Sequence, residues 1–212
     1  MNQSEMLAIL ANSLVERGYC ILDDAIPADL LIKLVEQSRA LDSDDLELAG
    51  IGRDDLQQTN LQVRKNQIAW IISGEDDVST AFHDWLATIQ TYLNRTLFMG
   101  LFDVEVHYAR YRVGDFYKRH VDAFVGQSNR KLSVVFYLND EWTEEDGGEL
   151  WVYEDDMAKE PFERVLPKCG RLIAFLSERF PHEVRPSHKT RHSIAAWFRV
   201  NGSVMGAIDP PQ

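Results

Sequence analysis

The sequence predicts an α+β fold, with a helical layer packed on a β core of the sandwich, jelly-roll or barrel type. Two observations predict it. In the first half, three segments carry apolar residues at helical spacing. From Phe102 onward the period changes, and short runs rich in Val, Tyr, Phe and Trp alternate with turn signals. No linker composition marks the switch near residue 100. The chain of 212 residues, 45% apolar, therefore reads as a single domain over 1–212. Residues 1–100 serve mainly as helical support with a mobile loop, and residues 101–200 form the β core.

The first helix covers 4–17, with Met6, Ile9, Leu10, Ser13 and Leu14 at helical spacing before Gly18 stops it. A short strand follows in Tyr19-Cys20-Ile21-Leu22. Pro27 starts a second helix, whose Leu30, Leu31, Leu34, Val35 and Leu41 share a face. Residues 42–67 are mostly polar and read as a long loop or mobile hairpin. A third helix over 78–98 buries Phe82, Trp85, Leu86, Ile89, Tyr92, Leu93 and Leu97. Strands are expected at 103–111, 115–119, 131–138, 149–153, 171–176, 182–185 and 191–199. Gly114-Asp115, Asn139-Asp140, Gly147-Gly148 and Lys168-Cys169-Gly170 punctuate them.

Charge and cysteine content exclude several classes. A net charge of -12 disfavours nucleic acid and anionic membrane as partners. Cys20 and Cys169 lie far apart and form no CxxC pair, as expected in a reducing compartment. The N-terminal stretch carries acids and too short an apolar run for a signal peptide. A soluble, cytoplasmic monomer is the expectation.

His120-Val121-Asp122 is a candidate metal pair, because residues i and i+2 of a strand face the same way. Six histidines and 34 acids produce about one such pair by chance, so the pair alone decides nothing. A facial triad needs a second histidine. His182 stands at a strand start after a loop, His188 lies in a turn, and His192 points away from Arg191. This ranks His182 first by a narrow margin. Arg191, Ser193, Ala195 and Trp197 share one face of the last strand: a cation, two small residues and an aromatic. That is a poor core face but a sensible floor for a small anion, although an arginine at a sheet rim is common. Tyr137, on the face of Ser133 and Val135, could offer its hydroxyl to the same anion. A tyrosine satisfied by backbone is the ordinary alternative.

The order RHVD, FYLN, GGEL, PHEV, then Arg191, Ile194 and Trp197, resembles the prolyl hydroxylases of the 2-oxoglutarate oxygenase superfamily. It is most similar to the hypoxia-inducible-factor prolyl hydroxylase group and its bacterial relatives. The resemblance is strong over roughly 100–200 and thinner before it. It implies a double-stranded β-helix (jelly roll) core with N-terminal helices packed on one sheet. It implies His120, Asp122 and His182 as iron(II) ligands. Arg191 would pair with the distal carboxylate of 2-oxoglutarate, joined by Tyr137. Tyr111 resembles an active-site tyrosine, though its segment is one residue shorter than in the animal enzymes. Leu150, Val184 and Trp197 resemble apolar wall residues. The segment around 50–66 looks like a loop that closes over substrate, and Arg53, Arg64 and Lys65 could grip an extended peptide.

The implied reaction is hydroxylation of a protein prolyl residue, coupled to decarboxylation of 2-oxoglutarate to succinate. O₂ is the oxidant, ascorbate a further ligand, and no side chain is required as general base. Elongation factor Tu is the partner that the bacterial relatives suggest. Two rival classes stay open on the residues alone. One is an oxygenase of a free amino acid, a lipid or an alkylated base. The other is a cupin-like metal-binding protein or interaction module without turnover.

Overall fold

In the computed structural model, residues 1–49, 60–123 and 129–200 are described, together with short backbone strands at Ser203–Val204 and Ala207–Ile208. Helix α1 spans Gln3–Glu16, α2 Ala28–Ala40 and α3 Asp77–Leu97. The Asn2 side chain accepts the Glu5 amide, and Asp76 accepts those of Val78 and Ser79. Each cap satisfies donors that a first helical turn leaves without partners. Helix α3 carries the clearest stripe: Phe82, Trp85, Leu86, Ile89 and Leu93 are buried, with Tyr92 and Leu97 partly so. In α1, Leu7 and Ala11 are buried instead of Ile9, which is exposed.

The strands are β1 (Tyr19–Leu22), β2 (Glu47–Leu48), β3 (Gln67–Trp70), β4 (Leu101–Tyr111), β5 (Tyr117–His120), β6 (Arg130–Tyr137), β7 (Leu150–Val152), β8 (Glu163–Val165), β9 (Leu172–Leu176), β10 (His182–Val184) and β11 (Arg191–Val200). They form two antiparallel sheets. The larger has the order β1-β9-β6-β11-β4-β3-β2 and the smaller β5-β10-β7-β8. The α+β class and the jelly-roll core expected from the sequence both hold.

Strand alternation sorts the larger sheet into two faces. Val106 and Tyr108 of β4, Leu132, Val134 and Phe136 of β6, and Ile194, Ala196 and Phe198 of β11 join the helices in one core. Ala109, Tyr111, Tyr137, Ile173 and Phe175 face the smaller sheet, where Leu150, Val152, Val165 and Val184 meet them. The helices thus seal one side of the sheet, and its other side faces the second sheet.

Three strands of the first half extend the larger sheet: β1 pairs with β9 at one edge, and β3 and β2 continue beyond β4 at the other. The 42–67 segment is therefore paired at both described ends. Residues 47–48 pair with β3, and Arg64 bridges Tyr117. Its middle, with Arg53, lies outside the described residues. Strands β3 and β8 were not expected, because Gln-Ile-Ala-Trp and Glu-Arg-Val are too short to display a period.

Candidate functional site

The smaller sheet sets two histidines side by side. His120 ends β5, His182 begins β10, and the two are register partners with ring centroids 4.3 Å apart. Asp122 does not reach them by strand alternation, as the i, i+2 argument supposed. The strand stops at His120, and Asp122 swings in from the bend that follows. Its Oδ1 lies 3.6 Å from His120 Nε2 and its Oδ2 3.7 Å from His182 Nε2. One ligand atom from each of the three residues lies within 4.8 Å of the others.

The backbone fixes both imidazoles. His120 Nδ1 lies 2.8 Å from the Lys118 carbonyl and His182 Nδ1 3.0 Å from the Phe180 carbonyl. A carbonyl only accepts, so each Nδ1 carries a hydrogen and Nε2 is the nitrogen turned to the cluster. Burial and the neighbouring His120 push His182 down to about 4, so it is neutral at pH 7. Burial opposes ionisation of Asp122, but His182, His120 and Arg130 outweigh it and hold the carboxyl well below its usual range. Two imidazoles that turn Nε2 toward one carboxylate form a donor set that suits iron(II).

Arg191 is the second feature. It starts β11 and is only 1% exposed. Its Nε donates to the Gly148 carbonyl at 2.8 Å and its Nη1 to Ser193 Oγ at 3.0 Å. Its guanidinium carbon lies 4.8 Å from the centre of the Tyr111 ring and 5.1 Å from that of Tyr137. Among the described residues no carboxylate pairs with it. The Tyr137 hydroxyl, wholly buried, meets the geometry of a hydrogen bond with no partner among the described residues. Burial pushes it up to about 12, against the pull of Arg191, so it is a neutral donor. A buried cation without a counter-ion and an unsatisfied hydroxyl beside it both favour an anionic ligand.

One cavity joins the two features. His120, Asp122, His182, Arg191, Tyr111, Leu150, Val184 and Trp197 all line it. The structure therefore brings every expected site residue together, with Tyr137 behind Arg191. His188 and His192 lie elsewhere: His188 bonds the Glu145 carbonyl, and His192 bonds Ser38 on the helix side.

Sequence reasoning gave His107, Tyr117, Arg130 and Ser133 no role at this cavity, and it expected Arg64 only as a grip on peptide. Tyr117 stacks on His120 at 3.6 Å between centroids, and Arg64 lies over the Tyr117 ring. Ser133 donates to Asp122 Oδ2 at 2.6 Å. His107 packs against Trp197, and Arg130 lies over that indole. Alternation from Tyr137 already placed Ser133 on the right face. Nothing in the sequence signalled the stack on His120.

A family model described as the 2OG-Fe(II) oxygenase superfamily matches residues 106–199. Prolyl hydroxylase EGLN3 of Mus musculus is 30% identical over 210 residues, covering 91% of this chain and 82% of that protein. Egl nine homolog 1 of Mus musculus is 25% identical over 204 residues, covering 86% of this chain and 47% of that protein. The chain spans about half the length of the Egl nine homolog 1 relatives it matches. Among solved structures, a Pseudomonas putida prolyl-4-hydroxylase superposes with a TM-score of 0.81 at 34% identity, covering 92% of this chain and 99% of that one.

Proposed function

We propose that this chain, which belongs to the 2OG-Fe(II) oxygenase superfamily, is a prolyl 4-hydroxylase acting on a protein substrate. The observation that carries the reading is Arg191: a buried guanidinium without a carboxylate partner among the described residues, beside the unsatisfied Tyr137 hydroxyl and on one cavity with the His120, Asp122 and His182 cluster. A metal-binding protein without turnover needs the cluster but has no use for this second site. The likeness to prolyl hydroxylases supports the substrate class.

In this reading His120, Asp122 and His182 hold iron(II) through two Nε2 atoms and a carboxylate oxygen. Bound there, the metal supplies the redox chemistry that couples oxidation of 2-oxoglutarate by O₂ to hydroxylation of a substrate carbon. Arg191 and Tyr137 grip the distal carboxylate of the keto acid and so fix its orientation. Tyr111, stacked against Arg191, keeps that guanidinium in place. Leu150, Val184 and Trp197 wall the cavity with apolar surface and limit water. No side chain has to act as general base. Strands from the first half complete the sheet behind the site, which supports one working domain over 1–212.

Elongation factor Tu is the substrate we would test first, and the product would be 4-hydroxyproline. The test uses protein purified anaerobically with iron(II), 2-oxoglutarate and prolyl peptides or elongation factor Tu, with and without ascorbate. O₂ is then admitted, and succinate and the mass gain of one oxygen atom are measured. Equal amounts of both, absent in His182→Ala, are expected. Succinate without any substrate oxidation would refute the prolyl reading, and activity that survives His182→Ala would refute the metal site.

A further inference from the structure

Asp122 sits outside the strand ladder that fixes the two histidines, so a different element must orient its carboxylate. That element comes from the opposite sheet. Ser133 of β6 donates to Asp122 Oδ2 at 2.6 Å, and Ser133 Oγ lies 2.9 Å from Ser177 Oγ. Ser177, directly after β9, is wholly buried, and Ser133 is 2% exposed. The proton directions follow from chemistry. An ionised carboxylate can only accept, so the single hydroxyl proton of Ser133 lies toward Asp122. Ser133 then has only lone pairs for Ser177, and Ser177 must be the donor between them. The chain runs one way, from Ser177 to Ser133 to Asp122, and each bond polarises the next.

We propose that Ser133 and Ser177 are positioning residues that orient Asp122 for the metal, an inference that rests on the iron reading above. With Oδ2 tied to Ser133, the carboxylate cannot turn freely and stays aimed at the two histidines. A carboxylate released from Ser133 would be free to turn away from the two histidines. The relay also binds the two halves of the site together. The histidines belong to the smaller sheet and the serines to the larger, so Asp122 spans the gap between them.

The test reads metal binding rather than turnover. Co(II) is titrated anaerobically into metal-free protein, and the affinity and visible absorption spectrum are recorded. Ser133→Ala should weaken Co(II) binding about 10- to 100-fold, the usual cost of losing a group that orients a metal ligand. Its spectrum should also change. Ser177→Ala should cost less, because Ser133 still reaches Asp122. Ser133→Thr, which keeps the hydroxyl, should restore the spectrum, whereas Ser133→Val, of the same size, should not. Thermal melts show which variants are folded, and if Ser133→Ala is not, the Thr and Val pair decides. Wild-type affinity and spectrum in the folded variants that lack the Ser133 hydroxyl would overturn the relay. So would a larger loss in Ser177→Ala than in Ser133→Ala. If the wild-type protein itself binds no Co(II) through His182, the iron reading fails instead.

Discussion

Replacing Arg191 by alanine should separate keto-acid binding from metal binding. The guanidinium is buried and anchored by Gly148 and Ser193, so it meets a carboxylate already oriented. A forked pair makes two charge-assisted hydrogen bonds, each contributing about 1.5–3 kcal/mol. Their loss is on the order of 3–6 kcal/mol, or roughly 10²- to 10⁴-fold in affinity at about 1.4 kcal/mol per tenfold. The upper part of that range is favoured, because the free protein already bears the cost of a buried charge that the ligand relieves. The metal ligands come from the smaller sheet and the bend after β5, and none bonds Arg191. Mn(II) affinity should therefore change by less than about threefold, roughly 0.7 kcal/mol. Calorimetry under argon measures both: Mn(II) into metal-free protein, then 2-oxoglutarate into Mn(II)-loaded protein. Equal losses in the two titrations would refute the assignment of Arg191 to the keto acid. Unchanged 2-oxoglutarate binding would refute it as well.

Tyr137→Phe should weaken 2-oxoglutarate by the worth of one hydrogen bond, about 0.5–1.5 kcal/mol. It should also raise the melting temperature of the ligand-free protein by a few degrees, since it deletes a buried hydroxyl without a partner among the described residues; a fall in melting temperature would contradict the unsatisfied hydroxyl. Gly148→Ala should weaken 2-oxoglutarate in calorimetry with little effect on Mn(II), because Gly148 has φ +66° and a Cβ there would stand 2.8 Å from Ser187 Oγ and 3.1 Å from Arg191 Cδ. Metal-free protein should lose stability as pH falls from about 6.5 toward 4, followed by urea midpoints. His107 and His182 are held neutral by burial, at about 3 and about 4, so the unfolded chain binds more protons in that window. Each adds a slope of at most about 1.4 kcal/mol per pH unit and nothing above the window, so a flat profile there would contradict their burial as neutral groups.

What the sequence disclosed follows from the physics of each element. The helix α3 and the strands β4, β6 and β11 are long enough to show their periods, so their faces could be assigned residue by residue. The face of Arg191, Ser193, Ala195 and Trp197 looked wrong for a core, and it does line the cavity. Short strands show no period, and β3 and β8 were missed for that reason. His120 and Asp122 were paired through a strand geometry that does not exist, since Asp122 lies past the strand end. The pair still converges because Ser133 holds the carboxylate from across the sandwich. Contacts made between sheets depend on how the two layers face each other. No local pattern encodes that, which is why the Ser133 bond to Asp122 was invisible in the sequence.

The two sheets divide the work, and the division explains why so few residues decide the chemistry. The smaller sheet presents ring nitrogens: His120 and His182 are neighbours in one ladder, with their Nδ1 hydrogens turned onto backbone carbonyls. The larger sheet presents donors: Arg191, Tyr137 and Ser133 occupy one face of β11 and β6, paired at Ser193 with Tyr137. A ligand bound by both must be a metal chelator at one end and an anion at the other. A keto acid with a second carboxylate meets that requirement, and a monocarboxylate does not. Competition therefore probes the two sheets separately. Pyruvate should displace 2-oxoglutarate far less well than a dicarboxylate of the same chelating end. In Arg191→Ala that preference should shrink to what the Tyr137 hydroxyl alone contributes, because the smaller sheet cannot tell the two apart.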